Sequence, residues 1–191
     1  CHVEKMTVNK KNFRITARMN GSTLEIRQEP NSGLSFKNAS GYLEITVPAG
    51  VKTISVATTS GSVNAEGISV DAYRVATVSG SISARSLSAR SLSLGSTSGS
   101  MKLSGISAAS LNANSTSGSM SVDGAEGDKA SLSSTSGSIR LKDAYFSAAN
   151  LNSVSGSLTG YVGDRIKQVN ANTVSGSVNL FFKGDLKDNS Y

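Results

Sequence analysis

TSGSM, Thr116 to Met120, repeats a word already written at Thr97 to Met101 and written again, as TSGSI, at Thr135 to Ile139. The glycines of this Ser-Gly motif stand at Gly41, Gly61, Gly80, Gly99, Gly118, Gly137, Gly156 and Gly176, with successive intervals of 20, 19, 19, 19, 19, 19 and 20. Asn20-Gly21 extends the series backwards by another 20. A fixed interval of this kind marks a repeat array in which each unit stacks on the last.

The apolar residues keep the same beat. With each glycine counted as zero, position +2 holds Leu43, Val63, Ile82, Met101, Met120, Ile139, Leu158 and Val178. Position +4 holds Ile45, Ala65, Ala84, Leu103, Val122, Leu141, Gly160 and Leu180. In the central units +7 and +9 follow as Ile68/Val70, Leu87/Ala89, Ile106/Ala108 and Ala144/Phe146, then +12 and +14 as Leu92/Leu94, Leu111/Ala113, Ala130/Leu132 and Ala149/Leu151. A spacing of two within each pair is strand alternation, and no window keeps the 3.6-residue spacing of a helix. Short strands broken by corners and repeated in this way predict an all-β, single-stranded β-helix. Its eight or nine coils of 19–20 residues would have three or four flat sides and parallel sheets. Stacking at about 4.8 Å per coil would make a rod roughly 40 Å long, with the right-handed winding of parallel crossovers.

Within that frame the opening word is one side of a coil. The Thr or Val at −2 and the apolar residue at +2 are expected to point inwards, and the serines at −1 and +1 outwards. The glycine between them needs either positive φ or a place where the inner wall has no room for a side chain. The domain is read as a single solenoid over residues 1–191, with irregular N-terminal coils or a cap over 1–40, regular repeats over 41–180 and a C-terminal cap over 181–191. FRITARMN, TLEIRQ and LSFKN read as amphipathic strands of the first part, and Phe181 with Phe182 as a hydrophobic lid on the last coil.

Composition agrees with a thin core. Apolar residues make up 37% of the 191, aromatics 5%, and there is no Trp. The formal charge is +6 and the pI about 9.6, with local enrichment at Lys5, Lys10, Lys11, Arg14 and Arg18. That balance favours loose association with polyanions such as nucleic acid, anionic lipid headgroups or acidic wall polymers. No stretch reaches the roughly 18 apolar residues of a membrane-spanning helix. Cys1 is the sole cysteine, which excludes an internal disulfide and a cysteine metal cluster. Its place at position 1, where Met would stand, suggests a processed product or a piece of a longer protein. Bacterial lipoproteins carry their lipid on such a cysteine, so Cys1 is a candidate attachment point, although CHVEKMTVNKKNFRITA becomes strand-like without a flexible tether.

No catalytic, cofactor or metal site emerges. His2 is the only histidine, which leaves the many serines without a general base, and no GxSxG elbow, Walker loop or GxGxxG fingerprint occurs. A paired-carboxylate glycosidase or Ca²⁺-dependent lyase would need a cleft built by excursions from the coil, and the interval never departs from 19 or 20. Asp123, Glu126, Asp128, Asp143 and Asp164 lie in neighbouring coils and are read as solvated corners. Ice binding favours Thr over the Ser found here. Specific nucleic-acid binding lacks its stacking aromatics, because Tyr42, Tyr73, Tyr145 and Tyr161 occupy different coil positions and form no stripe.

TTSGSV, TVSGSI, TSGSM, TSGSIRL, VSGSL and VSGSVNL, from Gly41 to Phe182, resemble the bacterial β-strand-repeat domains of unknown function that carry an adhesin label. The resemblance implies a single-stranded β-helix displayed outside the cytoplasmic membrane, often behind an anchor or signal peptide, with some relatives linked to envelope stress. It brings no catalytic residues. ARSLSARSLS, Ala84 to Ser93, and AASLN, Ala108 to Asn112, also look like pentapeptide repeats, a runner-up for the fold only. The function expected is therefore a non-enzymatic, extracellular or surface-anchored binding or stress-response module. Its partners would be anionic wall polymers, the membrane surface or another envelope protein. A carbohydrate-active enzyme on a β-helix and a purely structural spacer are the alternatives.

Overall fold

The computed structural model describes residues 6–8, 13–30, 43–45, 47 and 50–183. Cys1, His2, Lys5, Lys10, Lys11, Gly41 and Tyr42 lie outside them. The strands are β1 (Met6–Val8), β2 (Phe13–Asn20), β3 (Thr23–Pro30), β4 (Leu43–Ile45), β5 (Thr53–Thr58), β6 (Val63–Glu66), β7 (Ser69–Thr77), β8 (Ile82–Ser96), β9 (Met101–Ser115), β10 (Met120–Ser134), β11 (Ile139–Ser153), β12 (Leu158–Val162), β13 (Gln168–Thr173) and β14 (Val178–Phe182). No helix occurs among the described residues. The protein is an all-β solenoid of about seven turns.

From β5 onward every strand pairs in parallel with its counterpart one coil away. Met120 faces Ile139, Ala125 faces Ala144 and Leu132 faces Leu151, so the 19-residue interval of the sequence is the register of the sheet. β8 to β11 run 15 residues each, and the ladder resumes in register after the residues that skip it, Ser86 and Arg90 in β8. The inward residues are those the spacing selects. Ile82, Met101, Met120 and Ile139 at +2 are at most 2% exposed, and Leu92, Leu111, Ala130 and Ala149 at +12 at most 1%. Each inward side chain lies on its equivalents above and below, which is how so few aromatics still fill a core.

The first bend is a left-handed residue at +6. Gly67, Gly105 and Gly124 have φ of 61–64°, and Ser86 and Asp143 follow at 49° and 46°. Glycine adopts that conformation freely, while Ser and Asp do so under strain.

The Ser-Gly-Ser turn holds the clearest departure from the expected picture. The −2 residue points outwards, as Val78 and Val154 are 48% and 47% exposed and Val174 is 85% exposed. The residue before it, at −3, points inwards instead: Thr77, Ser96, Ser115, Ser134 and Ser153 are 5–8% exposed and are the buried polar residues of the rod. Each hydroxyl accepts the N–H of the glycine three residues on, at 2.8–3.0 Å, in Gly80, Gly99, Gly118, Gly137 and Gly156. Ser96, Ser153 and Thr173 also donate, at 3.2–3.5 Å, to the glycine carbonyl of the preceding coil. The chain turns its glycine amide into the rod here, and a buried N–H needs a partner. The −3 hydroxyl supplies it.

This also decides why the turn carries glycine. Gly80, Gly99, Gly118, Gly137 and Gly156 do not have positive φ. A Cβ on Gly118 would fall onto the carbonyl of Gly99, and one on Gly137 onto that of Gly118. The column is glycine because successive backbones touch. The serines at −1 and +1 are exposed, as expected. Their backbones continue the stack, with Ser98, Ser117 and Ser136 N–H donating at 2.8 Å to Val78, Thr97 and Thr116.

The N-terminal region corrects the coil count. Asn20-Gly21 is not a repeat mark but the turn of an antiparallel hairpin, in which Asn20 faces Thr23 across Gly21 at φ 60°. β3 then pairs in parallel with β5, so the hairpin prolongs one wall and closes no coil. β1 and β4 form a separate antiparallel pair. At the other end β14 carries the two phenylalanines, and residues 184–191 of the expected cap lie outside the described residues. Leu180 packs against the core, while Phe181 and Phe182 stand 50% and 44% exposed.

Candidate binding groove on the asparagine wall

The wall formed by β5, β7, β13 and the last segments of β8 to β11 carries two outward rows. One reads Ser93, Asn112, Ser131, Asn150, Asn170, and the other Asn114, Ser133, Asn152, Asn172. Strand alternation sends both rows outwards because the residues between them, Ala113, Leu132 and Leu151, are buried. The amides are held to one another. Asn170 and Asn172 donate to Asn150 and Asn152 in the preceding coil at 2.9 and 3.1 Å, and Asn114 donates to Asn112 at 3.0 Å.

Beside the second row the chain dips inwards to the −3 hydroxyl and comes out again at −2. The dip, repeated over four successive coils, is a groove of about 510 Å³ along the rod axis. Asn114, Ser133, Asn152 and Asn172 line one bank, Thr135, Val154 and Val174 the other, and Ser115, Ser134, Ser153 and Thr173 the floor. No lining residue is charged. The floor hydroxyls of Ser115, Ser134 and Ser153 already serve the glycine amides, so the groove offers ligands one bank of three amides and a serine, and another where Val154 and Val174 present methyl groups beside Thr135.

A second surface lies near the C-terminal end. Tyr161 and Phe181 stack with ring centres 4.6 Å apart and planes 12° from parallel, as register partners on β12 and β14. They border a hollow of about 210 Å³ with Asp143, Tyr145, Val162, Gly163, Phe182 and Lys183. Arg165 lies 6.0 Å from the centre of the Tyr145 ring and 3.9 Å from Glu126. Tyrosines scattered in sequence thus partly gather. Tyr73 does not join them: it is 2% exposed in the core, where burial raises its hydroxyl to about 12.

The acids expected at solvated corners are there. Lys142 bridges Asp123 at 3.7 Å and Asp143 at 3.5 Å, with all three side chains about half exposed, and Asp128 and Asp164 are exposed. No group of three potential metal ligands occurs among the described residues. None of the described helices could cross a membrane, since there are none. The asparagine rows are what the sequence reading passed over. Their signal was available in NAN (Asn112–Asn114), NLN (Asn150–Asn152) and NAN (Asn170–Asn172), at matching places in three coils.

The class these features define is a parallel β-solenoid whose turns are closed by an internal Ser/Thr–Gly ladder. The chain belongs to the Toastrack DUF4097 family, which matches it over residues 1–191 and is a domain family of unknown function. No curated protein and no solved structure matches it.

Proposed function

We propose that the domain is a non-catalytic binding module of the bacterial envelope, working outside the cytoplasmic membrane, that holds extended polymers or an envelope partner against its walls. Adhesion and sensing of envelope damage are the two uses such a module serves. The observation that carries the reading is the straight groove crossing four successive coils, with a polar group repeated at each. Exposed cations such as Arg85, Lys102, Lys129 and Arg140 add a diffuse attraction for acidic polymers and anionic lipid. Purified wall glycopolymer and anionic vesicles, each offered to the domain at low and high salt, test it. Retention that falls with salt is expected on at least one of them, since screening shortens the reach of surface charge. Retention on neither overturns the reading.

One observation favours a carbohydrate-active enzyme as a second reading: Asp123 and Asp143 flank Lys142, and Asp143 borders the tyrosine-lined hollow. Glycoside hydrolysis needs two carboxylates flanking the scissile bond. Release of reducing ends from wall glycans, abolished by D143N, would support it. No release would remove it.

A further inference from the structure

The groove on the asparagine wall has a chemistry different from the charge of the rest of the molecule, and we infer that it is a site for a neutral, flat, β-1,4-linked glycan lying along the rod axis. This rests on the proposed binding role and names the ligand class and the face.

Three properties of the groove argue for it. First, its lining is uncharged throughout, although the chain carries +6 overall. An acidic polymer would find no cation in it, whereas hydroxyl groups find amides, each of which can donate and accept at once. Second, the amides are already fixed. Of the groove's amides, Asn172 donates one N–H to the Asn152 carbonyl oxygen, and Asn114 donates one to Asn112 in the neighbouring row. The second N–H of Asn114 and of Asn172 and the carbonyl oxygen of Asn172 take no part in these bonds, and the bonds already hold the side chains, so little side-chain freedom is lost when a ligand binds. Third, the two banks differ. Asn114, Asn152 and Asn172 face Thr135, Val154 and Val174 across the floor. A β-1,4-linked pyranose ribbon has hydroxyls along both edges and C–H groups on both faces, and it fits such a groove with one face against the methyl-bearing bank and one edge against the amides.

Length also fits. The four coils from Asn114 to Asn172 span roughly 14 Å at the stacking distance of a parallel sheet, and each step is close to the length of one sugar. A β-1,4-linked chain turns over at each sugar, so the same edge recurs at every second coil, and the two stay nearly in phase over three or four sugars. An α-1,4-linked chain, which curls, would leave the groove after one or two.

The test uses cellohexaose and chitohexaose as probes, maltohexaose as the curled control, and titration calorimetry at low and high salt. The comparison protein is the triple variant N114S/N152S/N172S. Ser133 already stands in this row between Asn114 and Asn152, so serine is compatible with the coil. Expected are binding of at least one β-linked hexaose that salt does not weaken, a loss of tenfold or more in the triple variant, and weaker or no binding of maltohexaose. A melting temperature of the variant within a few degrees of the parent shows that folding is not what was lost. Absence of binding by both β-linked hexaoses, or equal binding by parent and variant, overturns the inference. If salt-sensitive retention on acidic polymer or vesicles persists in that case, the envelope-binding reading stands and only the groove assignment falls. If both fail, both fall.

Discussion

Gly21 and Gly118 fall in the same arithmetical series, yet the two regions around them are built on different physics. Around Gly118 each coil is a parallel copy of the last, and the glycine is required because its backbone touches that of Gly99. Around Gly21 the chain doubles back on itself, nothing lies within 4 Å of where a Cβ would stand, and the glycine is required for its φ of 60°. The feature that separates them is three residues upstream. Thr58, Thr77, Ser96, Ser115, Ser134, Ser153 and Thr173 precede the glycines of the true coils, whereas Arg18 precedes Gly21. A glycine at regular spacing signals a turn. A hydroxyl three residues before it signals a turn that is stacked.

That contrast can be broken most severely at the glycines themselves. G118A forces a methyl into the carbonyl of Gly99 and is expected to remove about 3–5 kcal/mol of stability, or to abolish folding. G21A meets open space and only a strained φ, at about 1 kcal/mol. Denaturant unfolding of both variants compares them, and equal losses would refute the distinction.

The buried ring of Tyr73 gives the next largest effect. Its hydroxyl is raised from 10.0 to about 12 by desolvation, so the folded state keeps a proton that the unfolded state releases. Stability is fully present below pH 10 and falls as pH rises from 10 towards 12, by at most about 3 kcal/mol. Urea midpoints across that window should drop in the parent and drop less in Y73F.

The ladder inside the turn can be probed at Ser134. S134A leaves the Gly137 N–H buried without its acceptor at 2.8 Å, for a loss of about 1–3 kcal/mol. S134T retains the hydroxyl, as Thr77 does three coils earlier in the same column, and should recover most of it. Amide hydrogen exchange at Gly137 reads the same bond directly: protection should fall in S134A and persist in S134T.

The smallest expected change is a gain. Ser86 holds φ 49° in a column where Gly67, Gly105 and Gly124 hold the same conformation without strain. S86G is expected to raise stability by about 0.5–1 kcal/mol, seen as a higher melting temperature. A decrease would mean that the exposed serine makes a contribution its position does not suggest.

Much of this architecture was legible before any coordinates. In the central coils the pairs at +2/+4 and +12/+14 are buried as their spacing requires, whereas Val178 in the last coil is 41% exposed; the outer serine columns are outside. What spacing misplaced was the residue just before the turn. Alternation counted backwards from +2 through the glycine puts −2 inside, but the chain changes direction at the glycine, and Val78 and Val154 end outside. The N-terminal hairpin was misread for a related reason, since an interval of 20 residues does not distinguish a coil from two antiparallel strands. The groove was not read at all. Its asparagines are regular in sequence, but a concavity exists only where two banks and a floor meet.

The sequence by itself determined the repeat, the register and the faces of the strands, because a parallel stack must place residue i upon residue i+19 and strand geometry alternates its sides. Tertiary structure alone decided which way the backbone turns at each glycine, and hence which hydroxyls are sealed inside and which amides line a groove. A turn is a three-dimensional path whose direction depends on what the neighbouring coil already occupies, and the order of residues along one coil does not contain that.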